Sequence, residues 1–448
     1  MSVKSEYKTL NVFSGRLINL TFILCFFPFF KLIPFLGGEV QPLAVIPALL
    51  YLIIFKHKRL LITPIIIYLS IILIYLITAV VMFIVEPTNS PSIQSILESL
   101  IILISPLVIF VALINNLENI SINIFRISIY SWFLISLLQA FYPPALVYSG
   151  LSSILSILIP RFLEKAFGGT RGVLGLSPEP SYAAQILIMI FLFSIFFYKI
   201  DKFKKNEYYF MLFACFLMFI FNASGSVFLY LFIYLISFLP LKIFKQLTFK
   251  EIHKIISLII ISILAFIIIL SLFYFFIDKI FTSRVSEVIT IINSTDFNIF
   301  NINELIDLTV SLGSGRSISV YIGYLNAINS YGFGSGLGSW SIHFLNAFKD
   351  SPISHVLYNI DDSKPYSYAS LVAFDLGLIG LVAFTYMLFS FLLPHLKKYY
   401  VSPHSIGCFG VGIFTLYLNS VSSLPAGWLI LAIILSDKGI KRKLTVSS

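Results

Sequence analysis

The segment RGVLGLSPEPSYA, which begins at Arg171, places an arginine and a glutamate directly before a long apolar run. The arginine side chain carries a planar fork of N–H donors that matches the oxygens of a phosphate or carboxylate group. A carboxylate such as Glu179 accepts a proton from a hydroxyl group in hydrogen-bond contact with it. These residue types indicate a site at which Arg171 binds an anion while Glu179 handles a proton or a hydroxyl. The alternative is that Glu179 is stabilised only by the N-terminal end of the following helix.

The same segment contains residues that control the backbone. We expect Gly172 and Gly175 to allow close backbone approach, and we expect Pro178 and Pro180 to stop the next helix from extending upstream. Ser181 is then well placed to cap that helix.

The segment GSGRSISVYIGYLNAINSYGFGSGLGSW, which begins at Gly313, combines an arginine with a glycine-rich turn. Arg316 stands at the start of an apolar pattern with helical spacing, and glycines at alternate positions from Gly332 to Gly338 follow that pattern. This order does not match a dinucleotide-binding fingerprint, which needs a strand before the glycines and a helix after them. Two interpretations of the turn remain open, a backbone cradle for an oxyanion and a plain flexible turn.

The composition of the chain indicates the environment in which these segments lie. Hydrophobic residues make up 58% of the 448 residues and charged residues only 11%, and apolar runs of about 20 residues recur along the sequence. The chain is therefore predicted to be an all-α, polytopic membrane protein. The predicted spans, about twelve in number, are 17–36, 40–55, 62–85, 93–114, 122–142, 182–198, 208–221, 226–240, 255–277, 367–393, 404–420 and 425–436.

The distribution of lysine and arginine predicts the orientation in the membrane. With both termini placed in the cytoplasm, 21 of the 30 basic residues fall on the cytoplasmic side, as expected because positively charged flanks resist export. The net charge of +10 is therefore a topology signal, and nucleic acid is not an expected partner. The three cysteines lie in apolar runs without metal-binding spacing and are interpreted as packing residues.

Two long loops are predicted on the extracytoplasmic side of a single membrane domain that covers residues 1–448. The loop 143–181 contains LSSILSILIPRFLEKAF, whose apolar spacing predicts a helix along the membrane surface. The loop 280–366 is rich in aromatic residues, which favours a folded cap.

Arginine is unusually common on the predicted outer side. That side holds nine basic residues, and four of them are arginines, whereas lysine dominates inside. This bias indicates an anionic substrate, because arginine binds phosphate oxygens through its fork of donors. The alternatives are pairing with outer acidic residues and contact with lipid phosphates. The outer arginines are Arg161, Arg171, Arg284 and Arg316.

Three parts of the sequence together resemble the superfamily of O-antigen polymerases and ligases. The segment TRGVLGLSPEPSYAA is similar to the arginine-rich earlier loop of Wzy-type O-antigen polymerases. Arg316 with its helix and the GFGSGLGSW turn, followed by YSYASLVAFDLGLIGLVAF from Tyr366, resembles the large loop and the re-entering span of the superfamily. The family's arginine-to-glycine spacing of about ten residues is matched from Arg161 to Gly172, whereas Arg316 and Gly332 are further apart.

The resemblance implies a GT-C-like glycosyltransferase of the bacterial inner membrane, active on the periplasmic face without metal or cofactor. The implied reaction inverts the anomeric centre when one undecaprenyl-diphosphate-linked oligosaccharide is joined to another, and a lipid diphosphate is released. Besides this substrate and membrane lipids, a chain-length regulator protein is an implied partner.

The resemblance also suggests roles for individual residues. Arg171 and Arg316 would stabilise the developing diphosphate charge and Glu179 would act as the base, with His343 and His355 as alternative bases. Further substrate-binding residues are expected to be Arg161, Arg284, Tyr182, Tyr321, Tyr324 and His343.

Two alternative functions remain open. O-antigen ligases of the superfamily typically have a histidine before the re-entering span, where this chain has Tyr366, Ser367 and Tyr368, so the polymerase is favoured over a ligase or related transferase. A lipid-linked saccharide flippase or other transporter usually carries charges inside its spans. Here only Glu98 and Asp375 are candidates, each expected near a helix end.

Overall fold

The computed structural model describes residues 3–32, 39–55, 62–87, 90–162, 172–222, 224–237, 315–354, 365–398 and 402–436. Within these ranges the chain forms helices and no β-strand. The α-helices are α1 (Val3–Leu24), α2 (Val45–Ile54), α3 (Ile62–Val85), α4 (Ile93–Leu113), α5 (Ile122–Phe141), α6 (Pro143–Tyr148), α7 (Leu151–Leu158), α8 (Pro180–Lys199), α9 (Lys205–Asn222), α10 (Gly225–Ile236), α11 (Gly315–Asn329), α12 (Trp340–Lys349), α13 (Tyr368–Lys398), α14 (Pro403–Tyr417) and α15 (Ala426–Ser436).

Five of the described helices, α3, α4, α5, α8 and α13, are long and apolar enough to cross a membrane. Four shorter apolar helices lie in α1, α2, α10 and α15. The prediction of an all-helical protein is confirmed for the described residues, and the length and apolar composition of these helices are compatible with a membrane protein. The predicted span 255–277 lies outside them, so the total of about twelve spans stays a prediction.

The first predicted span, 17–36, is wrong at its C-terminal end, because α1 ends at Leu24. Pro28 has no amide hydrogen and cannot continue the helical hydrogen bonding. The carbonyl oxygen of Phe26, beyond the end of the helix, accepts a hydrogen bond from Trp132 Nε1 at 2.9 Å. The chain therefore leaves α1 in a turn that is tied to α5.

Helix α8 is the most buried of the five long apolar helices described. In its most apolar stretch 78% of the residues are buried, against 17% in α3. It packs against α9, α10 and α15. Phe193 and Phe197 of α8 join Phe22 of α1 and Phe125 of α5 in a ring cluster, in which Phe22 and Phe193 lie 5.1 Å apart. Apolar packing of this kind holds the C-terminal half of α8 among its neighbours.

Helix α13 is interrupted at Gly377, which has φ 67° and ψ −164°. The glycine-rich turn, residues 332–338, docks on this interruption: Ser335 N donates to Phe374 O at 2.8 Å and Leu378 N donates to Gly332 O at 2.8 Å. A Cβ atom at Gly377 would lie 2.1 Å from Gly332 O, so only glycine allows the approach. The turn therefore supplies backbone partners where α13 cannot satisfy its own.

The glycine-rich turn also contacts a buried carboxylate. Gly338 N donates to Asp375 Oδ2 at 3.2 Å, and the Ser99 hydroxyl of α4 donates to the same oxygen. The turn is therefore a docking element on α13 that donates a backbone N–H to the Asp375 side chain, and a plain flexible turn does not describe it. Asp375 lies near a helix end as expected, because Gly377 two residues later interrupts α13, and its side chain is fully buried.

The described parts of the two predicted loops are folded. In the loop 143–181, α6 and α7 confirm a helical segment, although α7 stops at Leu158 rather than continuing through the predicted surface helix. In the loop 280–366, α11 and α12 are helical, and α11 packs along α13. The placement of both loops outside the membrane stays a prediction.

Candidate functional site

The entry to α8 is anchored on α5 through Gly175. The amide of Gly175 donates to Gln139 Oε1 at 2.8 Å, and its carbonyl accepts from Gln139 Nε2 at 3.3 Å. Gly175 has φ +61°, and a Cβ atom there would lie 2.8 Å from the Trp132 ring. The expected close backbone approach is confirmed at this glycine.

Glu179 occupies the N-cap position of α8, with extended backbone angles, and Pro180 is the first helical residue. The prediction that Ser181 caps the helix is therefore wrong, because the helix starts two residues earlier, at Pro180, whose missing N–H costs nothing at the first helical position. Ser177 Oγ donates to Glu179 O at 2.7 Å, and Asn222 Nδ2 donates to Pro180 O at 2.9 Å. The Glu179 side chain makes no capping hydrogen bond to α8.

The Glu179 carboxylate faces two arginines from distant parts of the chain. Arg316 Nη2 donates to Glu179 Oε2 at 2.7 Å, and Arg161 Nη1 lies 3.9 Å from Glu179 Oε1. The side chains of Arg316 and Glu179 are only 15% and 22% exposed. Charge-assisted hydrogen bonds in such sheltered positions are stronger than the same bonds in open solvent.

Arg316, the second residue of α11, lies between two tyrosine rings. Its guanidinium carbon is 4.8 Å from the centre of the Tyr182 ring and 5.1 Å from that of Tyr366. The Tyr182 ring in turn stacks on Phe29 at 5.9 Å. Cation–π contact on two sides fixes the direction in which the guanidinium points.

Arg161 is held by a second carboxylate, that of Glu39, with 3.3 Å between Nη1 and Oε1. Arg161 has a left-handed backbone with φ 57°, which turns the chain back after α7. Lys31 N donates to Leu158 O at 2.6 Å, so the end of α7 is bound to the segment that precedes Glu39. The contact thus joins the exits of α1 and α7.

The two arginines, the two glutamates and the two tyrosines that contact Arg316 form a group that we call the arginine–glutamate cluster. Its two arginines and two glutamates balance in formal charge. Sequence reasoning found four members, Arg161, Glu179, Tyr182 and Arg316. It missed Glu39, an isolated acid in a short loop with no motif around it, and it considered Tyr366 only as a position where a ligase has histidine. The cluster consists of Glu39, Arg161, Glu179, Tyr182, Arg316 and Tyr366.

Other predicted site residues lie elsewhere. The Tyr324 hydroxyl donates to Tyr417 O at 2.6 Å and connects α11 to α14, about 12 Å along the helix from Arg316. Tyr321 is partly buried on α11, and His343 is partly buried on α12, beyond the glycine-rich turn. The predicted residues Arg171, Arg284 and His355 lie outside the described residues.

Among the described residues no group of three or more His, Cys, Asp or Glu side chains is arranged to hold a metal ion. The chemistry that the cluster itself offers is anion binding by two guanidinium groups and proton transfer by a carboxylate next to them. A phosphate-type anion fits the first function and a hydroxyl group fits the second.

The described residues define an all-helical protein with five helices long and apolar enough to cross a membrane. An arginine–glutamate–tyrosine site lies at the N-terminal end of α8, the most buried of those five helices. No protein-family model matches the chain, and no curated protein matches it in sequence.

Proposed function

We propose that the protein is an O-antigen polymerase of the GT-C-like type, which joins undecaprenyl-diphosphate-linked oligosaccharide repeat units on the periplasmic face of the bacterial inner membrane. The observation that carries the proposal is the position of Glu179 between Arg161 and Arg316 at the start of α8. Glycosyl transfer from a lipid diphosphate requires a proton acceptor close to groups that bind phosphate. The carboxylate and the two guanidinium groups in contact with it provide these parts.

In the proposed reaction a sugar hydroxyl of one repeat unit attacks the anomeric carbon of the growing chain. The new glycosidic C–O bond forms as the bond from that carbon to the lipid diphosphate breaks, and the anomeric centre inverts. Glu179 accepts the proton of the attacking hydroxyl, while Arg161 and Arg316 stabilise the charge that develops on the departing diphosphate. Arg171 and Arg284 are proposed as further cationic groups near the diphosphate, and a chain-length regulator as a protein partner.

The residues before the re-entering span support a polymerase over a ligase. The Ser367 hydroxyl donates to Tyr417 O at 2.7 Å and accepts from Ser370 N at 3.1 Å. The Tyr368 hydroxyl donates to Leu103 O at 2.6 Å. These two side chains have structural partners where a ligase would carry its histidine.

The charges inside the described spans also favour an enzyme over a transporter. Asp375 is bound by the amide of Gly338 and the hydroxyl of Ser99 within a packed interior. An acid held in this way anchors helices, whereas transporters place such groups on a substrate pathway.

The polymerase proposal is tested with purified protein in detergent, supplied only with undecaprenyl-diphosphate-linked repeat units and a metal chelator. We expect a ladder of longer lipid-linked oligomers. A transporter would leave the substrate unchanged, and a ligase would transfer sugar only after lipid A core is added. If the protein forms no ladder from a verified native repeat unit, the proposal is wrong.

A further inference from the structure

Glu179 occupies one of the arginine donors that an incoming diphosphate needs, Arg316 Nη2, and lies close to a second, Arg161 Nη1. Glu179 directs one carboxylate oxygen at each arginine, with Oε2 2.7 Å from Arg316 Nη2 and Oε1 3.9 Å from Arg161 Nη1. A carboxylate and a phosphate compete for the same guanidinium fork, since both present paired oxygens to it. An anion can therefore bind the complete guanidinium fork of Arg316 only if the Glu179 carboxylate moves away from it.

The arginines do not depend on Glu179 alone for their positions. Arg316 is held between the Tyr182 and Tyr366 rings, and Arg161 is closer to Glu39 than to Glu179. Both guanidinium groups therefore keep their orientation when the Glu179 carboxylate moves. Binding sites whose donors are held in place in this way lose little affinity to reorganisation.

The Glu179 carboxylate also has somewhere to go. It stands at the N-cap of α8 without capping that helix, and the first-turn N–H groups of a helix favour a negative side chain. Pro180 has no N–H, and Tyr182 N and Ala183 N donate to Glu179 O at 3.1 and 3.0 Å. A rotation of the side chain would therefore exchange guanidinium contacts for contact with the Ser181 amide.

We propose that Glu179 is an internal anion that masks a diphosphate-binding site formed by Arg161 and Arg316, and that diphosphate binding displaces it. The identity of the anion rests on the proposed function. Displacement removes the guanidinium groups from the carboxylate, so its oxygens become available to a nearby hydroxyl. The base thus becomes active only after the leaving group has been bound, and premature proton transfer is avoided.

The experiment compares Glu179→Gln with the matched variant Glu39→Gln, which makes the same change of charge at the other carboxylate of the cluster. Binding of inorganic pyrophosphate to the purified protein is measured by titration calorimetry. We expect Glu179→Gln to bind pyrophosphate about fivefold more tightly than the unmodified protein, the size of one sheltered ion pair, and to lose polymer formation. We expect Glu39→Gln to change the affinity by less than about twofold, since Glu39 pairs with Arg161 and helps to position it.

Several outcomes would overturn the masking proposal. Unchanged or weaker pyrophosphate binding by Glu179→Gln contradicts displacement, and equal tightening in both variants shows a general charge effect instead. The double variant Glu179→Gln/Arg316→Gln should lose the increase in pyrophosphate affinity. If the double variant still binds pyrophosphate more tightly than the unmodified protein, Arg316 is not the masked group. If Glu179→Gln does not fold, Glu179→Asp, whose shorter side chain weakens the pairing, should also bind pyrophosphate more tightly than the unmodified protein.

The source of the diphosphate is identified by competition. Farnesyl diphosphate, which carries a short isoprenoid chain, should displace pyrophosphate at lower concentration than free pyrophosphate does, whereas phosphatidylglycerol should not compete. Equal competition by the two diphosphates assigns the site to free diphosphate, and competition by phosphatidylglycerol assigns it to lipid headgroups. A protein that forms the polymer ladder without tightening in Glu179→Gln would keep the proposed function and lose the masking mechanism.

Discussion

At the scale of single residues, the fork geometry of Arg316 is the property that matters most. We predict that Arg316→Lys lowers kcat/KM for polymer formation about 100-fold, because a lysine ammonium cannot present two donors to a diphosphate or pack flat between Tyr182 and Tyr366. Turnover of detergent-purified protein, normalised to folded protein by size exclusion, is the measurement.

The chain offers a matched control for this substitution. Arg126 forms a bidentate pair with Glu207, at 2.5 Å and 2.9 Å, at the other end of α5 from the α8 entry. Arg126→Lys removes the same fork from a comparable ion pair, so it should affect stability to a similar degree and turnover by less than about twofold. Near-normal turnover of Arg316→Lys at matched expression would assign Arg316 to packing or topology.

The cluster shows which part of a site can be predicted from residue types. Arginines and a glutamate next to helix starts were recognisable because their chemistry and their proline and glycine neighbours are local features. Glu39 enters the cluster through contact with Arg161, more than a hundred positions away, and Tyr366 through contact with Arg316, 50 positions away. The pairing of α7 with the exit of α1 and of α11 with α13 creates these contacts. No local pattern encodes those contacts.

At the scale of elements, the glycine-rich turn and the interruption of α13 act together. Gly334 and Gly336 both have left-handed backbones, with φ +73° and +95°. A Cβ atom at Gly334 would lie 2.5 Å from Gly377 N, whereas a Cβ atom at Gly336 would have no neighbouring atom within 4 Å. The two alanine variants therefore separate the steric effect of docking from the cost of the backbone conformation, which is about 1–2 kcal/mol for either position.

We predict that Gly334→Ala lowers the free energy of unfolding by roughly 1–3 kcal/mol more than Gly336→Ala, because the added methyl group forces the turn away from α13. Loss of docking would also shift α11, which carries Arg316 at its other end, so turnover should fall more in Gly334→Ala. Thermal unfolding of the detergent-solubilised variants measures the first effect. Equal destabilisation would mean that the contact between the turn and α13 does not position α11.

The spacing of the glycines was visible in the sequence, but their function was not. The segment LVAFDLGLIGL has a continuous apolar pattern, which predicts an unbroken span over 367–393, and α13 does cover that range. The interruption at Gly377 follows from the fit between two backbones, those of the turn and of α13. Such a fit has no periodic signature.

At the scale of the whole molecule, apolar periodicity predicted the helices well because bilayer thickness sets the length of a span. The bounds of α3, α4, α5 and α8 lie within about two residues of the predicted spans. The end of α1 was misplaced because the residues after it are just as apolar as the helix, so composition could not show where Pro28 and the hydrogen bond from Trp132 end it.

Two lysines lie at the end of α8 opposite the arginine–glutamate cluster. Helix α8 is 20 residues long, so its C-terminal residue Lys199 lies about 30 Å from Glu179. Near that far end, Lys199 Nζ donates to Ser402 Oγ at 2.7 Å, and Lys202 Nζ donates to the carbonyl of Ile120. The lysine-rich end and the arginine–glutamate cluster are therefore at opposite ends of α8, and a positive cytoplasmic end would place the cluster on the periplasmic side.

Single cysteines test this orientation directly, since the native cysteines are completely buried and should not react. We predict that Ser149→Cys and Asn346→Cys, at exposed positions, react with an impermeant maleimide in intact spheroplasts, whereas Lys204→Cys reacts only after lysis. The unmodified protein gives the background before and after lysis. The reverse pattern would place Glu179 and its arginines in the cytoplasm, where lipid-linked repeat units are not presented to a periplasmic polymerase. In that case the cluster could still bind an anion, but the proposed reaction and its compartment would both be wrong.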